Sequence, residues 1–254
     1  MIRKTKATSA AALTAVAALS LAACGGGSKD GGEAAGGEAE KGGTLHYLTF
    51  KPAESLDPQR IYIGRDIFNT SRLVYRGLLQ FPVGEQDPIK AQTPIPDIAE
   101  EVPTSKDGKT WTFKLRDDGK WSNGDPVTAD DFVYSWQRLT DPKTASPYGS
   151  YLASAYVLNA AAINAGSKPP SELGVKALDA HTLQVTLSEP NSYLLKQLVH
   201  FPVLPVNRKV VEQYGKNWTQ PAHFVGNGAF RLSQWVVNEK VVVERNPQYW
   251  DNAN

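Results

Sequence analysis

The chain has 254 residues and a nearly balanced charge, with 27 Lys and Arg against 26 Asp and Glu and a formal net charge of +1. Hydrophobic residues make up 41% and charged residues 21%, which is typical of a globular protein. The body of the chain has no stripe or cluster of Lys and Arg, although such a cluster is the electrostatic signature of a nucleic-acid-binding protein. Nucleic acid is therefore not expected as a partner.

Residues 1–23 are predicted to be a signal peptide. A basic start is followed by an apolar run over residues 7–20, which is too short to span a bilayer as a mature helix. The run ends in Leu-Ala-Ala-Cys, which is similar to the bacterial lipobox, whose cysteine is lipidated and becomes the first residue after cleavage. Cys24 is the only cysteine, so we expect a lipid anchor there and no internal disulfide. A plain secretory signal with an incidental cysteine is the alternative.

Residues 24–43 are predicted to be a flexible tether. Residues 25–43 contain nine glycines and no large apolar side chain, so they cannot bury enough surface to offset the entropy of the chain. The flexible-chain relation gives a root-mean-square reach of about 25 Å. Loss of the leader would also remove three basic residues and change the net charge from +1 to −2.

The first part of the body is predicted to be a strand, a loop and a helix. Residues 44–50 have strand character, and residues 51–60 form a loop with a Leu-Asp-Pro turn. Asp66 can cap a helix over residues 67–76, which Gly77 would end. Residues 82–96 are rich in proline and are expected to be a loop.

The clearest local pattern lies between residues 107 and 136. Apolar and polar residues alternate over residues 110–116, which places Trp111, Phe113 and Leu115 on one face of a half-buried strand. After a turn, Thr128 and Asp131 have the spacing of a capping box that begins a helix. That helix has an apolar face with Phe132, Trp136 and Leu139, and it should end before Pro142.

Five elements are predicted in the remainder of the chain. They are a helix over residues 147–166, a hairpin of residues 175–178 and 182–187, a short helix with Leu194 and Leu198, a helix over residues 208–214 capped by Asn207, and a hairpin of residues 230–235 and 241–245. Strands and helices are mixed without strict βαβ alternation. The predicted fold class is mixed α/β, of the α+β kind.

No catalytic or metal-binding motif is found. The chain lacks a G-x-S-x-G elbow, a Walker-type phosphate loop and an H-E-x-x-H pair, and its four histidines are scattered. Asp130 and Asp131 could be interpreted as paired catalytic carboxylates, but the helix dipole and the cap explain their position. We therefore expect no enzyme activity, no cofactor and no metal site.

The amino-acid sequences of several segments closely resemble those of one family. The run WTFKLRDDGKWSNGDPVTADDFVYSWQR at residues 111–138 is similar to the extracytoplasmic solute-binding proteins of peptide ABC transporters, in the oligopeptide-binding branch. The segments SLDP, GVKALDAHTLQVTLSEP and NPQYW strengthen this resemblance, which extends over residues 43–254. It implies an incomplete lobe of the periplasmic-binding-protein class II fold. A smaller lobe, residues 75–207, would be inserted into a truncated larger lobe formed by residues 44–74 and 208–254.

The resemblance also implies a ligand site. The tyrosine of the family's Ala-Ser-Pro-Tyr segment lines a peptide cleft and corresponds to Tyr148. The segment that contacts the peptide backbone corresponds to residues 61–64, with Tyr62, Ile63 and Gly64 as candidate ligand-binding residues. Tyr62 stands where an acidic residue is found in the best-known oligopeptide binder, which leaves the peptide preference open.

The partners implied by the resemblance are an oligopeptide, a membrane-embedded ABC permease and, through Cys24, membrane lipid. The location would be the outer face of the bacterial cytoplasmic membrane or the periplasm. Family members are much longer, so the resemblance implies an N-terminal fragment or a truncated product. Two alternatives stay open at this point: a surface lipoprotein fragment without ligand binding that serves as an interaction surface, and a secreted enzyme with unrecognised active residues.

Overall fold

The computed structural model describes residues 42–48, 53–62 and 71–253. Residues from Leu48 onward form one compact unit, and residues 42–47 fall in a separate one. The helices and strands of the described residues follow in chain order: α1 (Arg72–Val74), β1 (Leu79–Gln80), β2 (Ile95–Pro96), β3 (Thr110–Lys114), α2 (Ala129–Thr140), α3 (Tyr151–Ser154), α4 (Ala160–Asn164), β4 (Val175–Asp179), β5 (Thr182–Thr186), α5 (Leu194–Gln197), α6 (Arg208–Tyr214), β6 (Phe230–Val236) and β7 (Lys240–Arg245). The mixed α/β class predicted from the sequence is confirmed.

The largest sheet of the described residues is antiparallel and has three strands, in the order β3-β5-β4. Trp111 pairs with Val185, and Phe113 pairs with Leu183. The side chains of Trp111 and Phe113 are buried, whereas the alternate residues of β3 are exposed, as the alternation predicted. Helix α2 packs against strands β4 and β5, so the buried face of the sheet and the apolar face of the helix share one core.

Helix α2 begins and ends where the sequence predicted. The backbone nitrogen of Thr128 donates a 2.9 Å hydrogen bond to the carboxylate of Asp131, which confirms the capping box. Phe132, Trp136 and Leu139 are fully buried. The helix ends at Thr140, because Asp141 before Pro142 is extended.

The last helix and hairpin are also confirmed. The side chain of Asn207 accepts a hydrogen bond from the backbone nitrogen of Val210 and caps α6, and Gly215 has the positive φ of 54° that suits a helix stop. Strands β6 and β7 pair across a turn in which Asn238 has φ of 64°. Asparagine tolerates this left-handed conformation better than most residues do.

The strand predicted over residues 44–50 is not observed. Residues 44–48 have no regular secondary structure, and Leu45 and Leu48 are 90% and 93% exposed. Residues 49 and 50 lie outside the described residues. A strand is stabilised by a hydrogen-bonded neighbour, and no described strand pairs with this segment.

The helix predicted over residues 67–76 ends earlier than expected. Its predicted start lies outside the described residues. Helix α1 stops at Val74, and Tyr75 is extended with φ of −127° and ψ of 150°. Asn227 explains the early end. Its side-chain oxygen accepts from the backbone nitrogen of Arg76 at 2.8 Å, and its amide nitrogen donates to the carbonyl of Arg76 at 3.0 Å. This pairing replaces the helical hydrogen bonds of Arg76.

The single helix predicted over residues 147–166 is wrong, because the segment forms the two short helices α3 and α4. Tyr156 and Asn159 have positive φ of 62° and 65°, which no helix interior contains. Between them, Leu158 donates a 2.9 Å hydrogen bond to the carbonyl of Thr186 and accepts one of 2.9 Å from Gly174. Pairing with the end of β5 and with Gly174 therefore overrides the helical preference of the alanines.

Candidate functional site

Residues 53–62 form a tightly anchored loop that leads to the candidate residue Tyr62. The backbone nitrogens of Arg60 and Ile61 donate to the carbonyl of Asp57 at 2.9 and 3.0 Å, which makes a compact turn. Leu56 and Ile61 are buried, and the Leu56 carbonyl accepts a 3.0 Å hydrogen bond from the hydroxyl of Tyr75. Backbone hydrogen bonds and buried apolar side chains thus both hold the loop in place.

The guanidinium of Arg138, on α2, holds the same loop by its charge. It binds both carboxylate oxygens of Asp57, one of them at 2.9 Å, and also the side-chain oxygen of Gln59. Gln59 in turn donates to the carbonyl of Leu204 at 2.9 Å. Burial acts to lower the pKa of Arg138, but the hydrogen bonds and charge of Asp57 raise it above its ordinary value. We call these three residues the Asp57–Gln59–Arg138 cluster.

Tyr62 comes directly after the anchored turn and is 65% exposed. Its side chain therefore contributes little to the core. Ile63 and Gly64, the other candidates in this segment, lie outside the described residues, as does Cys24.

Tyr148 lies in a cluster of aromatic rings. Its ring meets Phe201 edge-on at a centroid distance of 4.9 Å and lies 5.7 Å from His200 and 6.4 Å from Tyr151. Its side chain is half-buried, so part of it stays accessible. The sequence pointed to Tyr148 only through the family resemblance, and it did not indicate His200, Tyr151 or Phe201. No pattern in the sequence could have found them, because they meet only in the folded chain.

A cavity of about 230 Å³ adjoins this aromatic cluster. Tyr151 and His200 form part of its wall, together with the cationic side chains of Arg72 and Lys196. Tyr151 donates from its hydroxyl to the carbonyl of Gln197 at 2.9 Å, and burial followed by the charge of Tyr148 raises the pKa of Tyr151 to about 12. The phenol therefore stays neutral at physiological pH.

A second polar cluster surrounds Asp97, whose side chain is buried. Arg76 Nε lies 4.0 Å from Asp97 Oδ2, and Arg116 donates to the Asp97 carbonyl at 3.0 Å. The guanidinium carbon of Arg116 lies 3.3 Å from the centre of the Trp250 ring. Asp97 Oδ1 has no hydrogen-bond partner among the described residues. Burial raises the pKa of Asp97 to about 7, although Arg76, Trp250 and Arg116 act in the opposite direction.

We expect the stability of the protein to depend on pH through Asp97. The folded-state pKa of about 7 lies above the ordinary value of 3.8, so the folded chain binds this proton more tightly than the unfolded chain. The contribution of Asp97 is therefore most favourable below about pH 4 and is lost as the pH rises to about 7, with a slope of up to about 1.4 kcal/mol per pH unit. Asp97→Asn should remove this dependence.

The measurement is urea unfolding of the parent chain and of Asp97→Asn at several pH values between 4 and 8. The variant should gain stability relative to the parent as the pH rises. Glu101→Gln, at an exposed position, is the matched control and should follow the parent. A constant difference between Asp97→Asn and the parent at all pH values would show that Asp97 does not titrate in this range.

The described residues contain neither a metal-binding cluster nor a helix suited to span a bilayer. No group of three or more His, Cys, Asp or Glu side chains is arranged to hold a metal ion within the ranges 42–48, 53–62 and 71–253. In that same part of the chain, no helix combines the length and apolar character needed to cross a bilayer.

Comparisons with known proteins give one consistent result. Residues 93–254 match the model of the bacterial extracellular solute-binding proteins, family 5 middle. The periplasmic oligopeptide-binding protein OppA of Salmonella typhimurium is 55% identical over 200 residues, which cover 79% of this chain and 35% of that protein. The periplasmic murein peptide-binding protein MppA of Escherichia coli is 44% identical over 214 residues, which cover 84% of this chain and 38% of that protein. The chain thus spans about a third of the length of these curated relatives.

The solved structures agree with the sequence comparison. The crystal structure of Haemophilus influenzae OppA in complex with the peptide RPPGFSPFR matches with a TM-score of 0.74 and 42% identity, over 80% of this chain and 38% of that one. The structure of the E. coli murein tripeptide-binding protein MppA matches with a TM-score of 0.74 and 43% identity, over 81% of this chain and 38% of that one. The resemblance found in the sequence is confirmed, and the chain belongs to family 5 of the bacterial extracellular solute-binding proteins.

Proposed function

We propose that this chain captures oligopeptides outside the cytoplasm and serves their delivery to an ABC-type peptide permease in the membrane. The observation that carries the proposal is the similarity in sequence and fold to a relative whose structure contains a bound peptide. The exposed Tyr62 and the half-buried Tyr148 support it, because both present aromatic surface beside firmly anchored elements.

We infer the mode of binding from the resemblance of these residues to the family. The segment of Tyr62, Ile63 and Gly64 would pair with the backbone of an extended peptide, while Tyr148 would line the cleft. Hydrogen bonds to a peptide main chain give affinity without reading side chains, which suits a sequence-tolerant carrier. We propose that residues 75–207 form a smaller lobe and that residues 44–74 and 208–254 form part of a larger one.

Peptide binding is tested by calorimetric titration of the purified chain with a mixture of tri- to pentapeptides. Saturable binding is expected, and Tyr148→Ala should weaken it by about thirtyfold, since truncating an aromatic hot spot costs about 2 kcal/mol. Tyr47→Ala, at an exposed position outside the proposed site, is the control. Equal affinities of the two variants would show that Tyr148 does not contribute to peptide binding. Absence of binding by the parent would refute capture by this polypeptide.

We also infer that the chain has no catalytic role. The family is one of extracellular solute-binding proteins, and the sequence offers no nucleophile and base in a known arrangement. Incubation of the chain with the same peptides should therefore leave them intact. Cleavage products that increase with the concentration of the chain would contradict this inference.

We further propose that Cys24 anchors the mature protein to the membrane by its lipid. The support is the Leu-Ala-Ala-Cys sequence followed by the glycine-rich tether. In a bacterium that processes lipoproteins, Cys24→Ala should move the protein from the membrane fraction to the soluble fraction, while Ser28→Ala should leave it in the membrane fraction. Retention of the Cys24→Ala protein in the membrane fraction would exclude this anchor.

A further inference from the structure

The sequence contains two Asn-Gly steps, Asn123-Gly124 and Asn227-Gly228. An asparagine before glycine can lose its side-chain amide without an enzyme, because the next backbone nitrogen lies within reach of the side-chain carbonyl carbon and glycine has no Cβ to block its approach. The new bond between this nitrogen and this carbon closes a succinimide ring. The side-chain nitrogen leaves as ammonia and takes the proton of the attacking amide. Water then opens the ring to aspartate or isoaspartate.

The first step lies in an exposed turn between β3 and α2. Oδ1 of Asn123 accepts a 3.1 Å hydrogen bond from the backbone nitrogen of Asp125, and its Nδ2 donates to the Asp125 carboxylate at 3.2 Å. The bond to Oδ1 polarises the carbonyl under attack and stabilises the negative charge that forms on this oxygen. The Gly124 nitrogen donates to the Trp121 carbonyl at 2.8 Å. The turn must therefore open at this hydrogen bond before the ring can close.

The second step is held in the interior. Asn227 is 1% exposed, and its side-chain oxygen and nitrogen are both hydrogen-bonded to the backbone of Arg76. The Gly228 nitrogen, which would have to attack, donates to the Val74 carbonyl at 2.9 Å. Reaction at Asn227 requires the loss of these hydrogen bonds in a buried segment, whose opening costs more free energy than the opening of an exposed turn.

We propose that Asn123 is a site of spontaneous covalent modification, at which deamidation gives isoaspartate and aspartate while Asn227 stays intact. Water is the co-reactant and ammonia is the product that leaves. Isoaspartate adds one carbon atom to the main chain and places a carboxylate beside that of Asp125. The backbone nitrogen of Ser122 ties this turn to the interior by a 2.8 Å hydrogen bond to the Gly226 carbonyl. Modification should weaken this contact.

The test is incubation of the purified chain at mildly alkaline pH, at which the attacking amide loses its proton more readily. Trypsin releases residues 121–138 as one peptide, in which Asn123 is the only asparagine. Mass spectrometry of this peptide should show the mass of aspartate at this position, with the isoaspartate form as a separate chromatographic peak. Asn123 should convert at least about tenfold faster than Asn227, since a difference of about 1.4 kcal/mol in opening already gives this ratio. No conversion at Asn123, or equal rates at the two sites, would overturn the proposal.

Two controls separate the effect of the fold from that of the dipeptide. In urea, which removes the fold, both Asn-Gly steps should convert at similar rates. A ratio that persists in urea would show that the fold does not protect Asn227, and the structural argument would fall. Asn123→Gln keeps an exposed amide but must close a larger ring, so its peptide should stay unmodified over the same time. Equal loss of ammonia from Asn123→Gln and the parent at this position would overturn the succinimide route.

Discussion

Trp136→Ala is expected to lower the free energy of unfolding by about 3 to 5 kcal/mol, as for other aromatic-to-alanine changes in a packed core. Trp136 is fully buried on the face of α2 that packs into the core. Its indole nitrogen also donates a 2.9 Å hydrogen bond to the carbonyl of Val203. The substitution would leave both a cavity and a buried carbonyl without its partner.

Urea unfolding of three variants separates these contributions. Gln137→Ala changes the next residue of the same helix, which is only partly buried, and should alter stability by no more than about 0.5 kcal/mol. Trp136→Phe keeps much of the ring volume and loses the hydrogen bond, so it should fall between the other two. Similar unfolding midpoints for Trp136→Ala and Gln137→Ala would mean that this face of α2 is not part of the core.

The sequence predicted those elements whose signals are local. The capping box of Thr128 and Asp131, the apolar spacing along α2 and the alternation along β3 all act over a few residues, and the structure contains each of them. The Asn207 cap and the final hairpin are further cases. In each of them the side chains that decide the conformation lie close together along the chain.

The sequence failed where partners distant along the chain decide the conformation. The segment between α3 and α4 pairs with Thr186 and Gly174, and its alanines predicted helix in the absence of that information. Helix α1 ends early because the side chain of Asn227, 151 residues away from Arg76, forms hydrogen bonds with the backbone nitrogen and carbonyl of Arg76. The candidate site shows the same limit, since Tyr148 and His200 meet only through the packing of separate elements.

The Asp57–Gln59–Arg138 cluster joins α2 to the loop that carries Tyr62 by long-range polar contacts. Arg138 is separated from Asp57 by 81 residues and reaches it with both arms of the guanidinium. The side chains of Arg138 and Asp57 are only 16% and 6% exposed. Water therefore cannot replace Arg138 as the partner of the Asp57 charge. We expect Arg138→Gln to cost about 3 to 5 kcal/mol, since it leaves a buried charge without its partner.

The double variant Asp57→Asn with Arg138→Gln is the informative comparison. Removing both charges leaves no buried charge without a partner. The double variant should therefore lose less stability than the sum of the single changes, by about 0.5 to 3 kcal/mol. Arg208→Gln, which breaks an exposed pair with Glu212, should cost no more than about 1 kcal/mol. Additive costs of the two single changes would show that Arg138 stabilises α2 without acting through Asp57.

Hydrogen exchange tests whether Arg138 also positions the loop. The amides of Arg60 and Ile61 donate to the Asp57 carbonyl, so their protection reports the turn that leads to Tyr62. In Arg138→Gln these two amides should lose more protection than the amides of β5, which lie in the centre of the sheet. A uniform loss at both places would reflect lower global stability alone. A selective loss at Arg60 and Ile61, together with weaker peptide binding, would identify Arg138 as a positioning residue for the peptide-contacting segment.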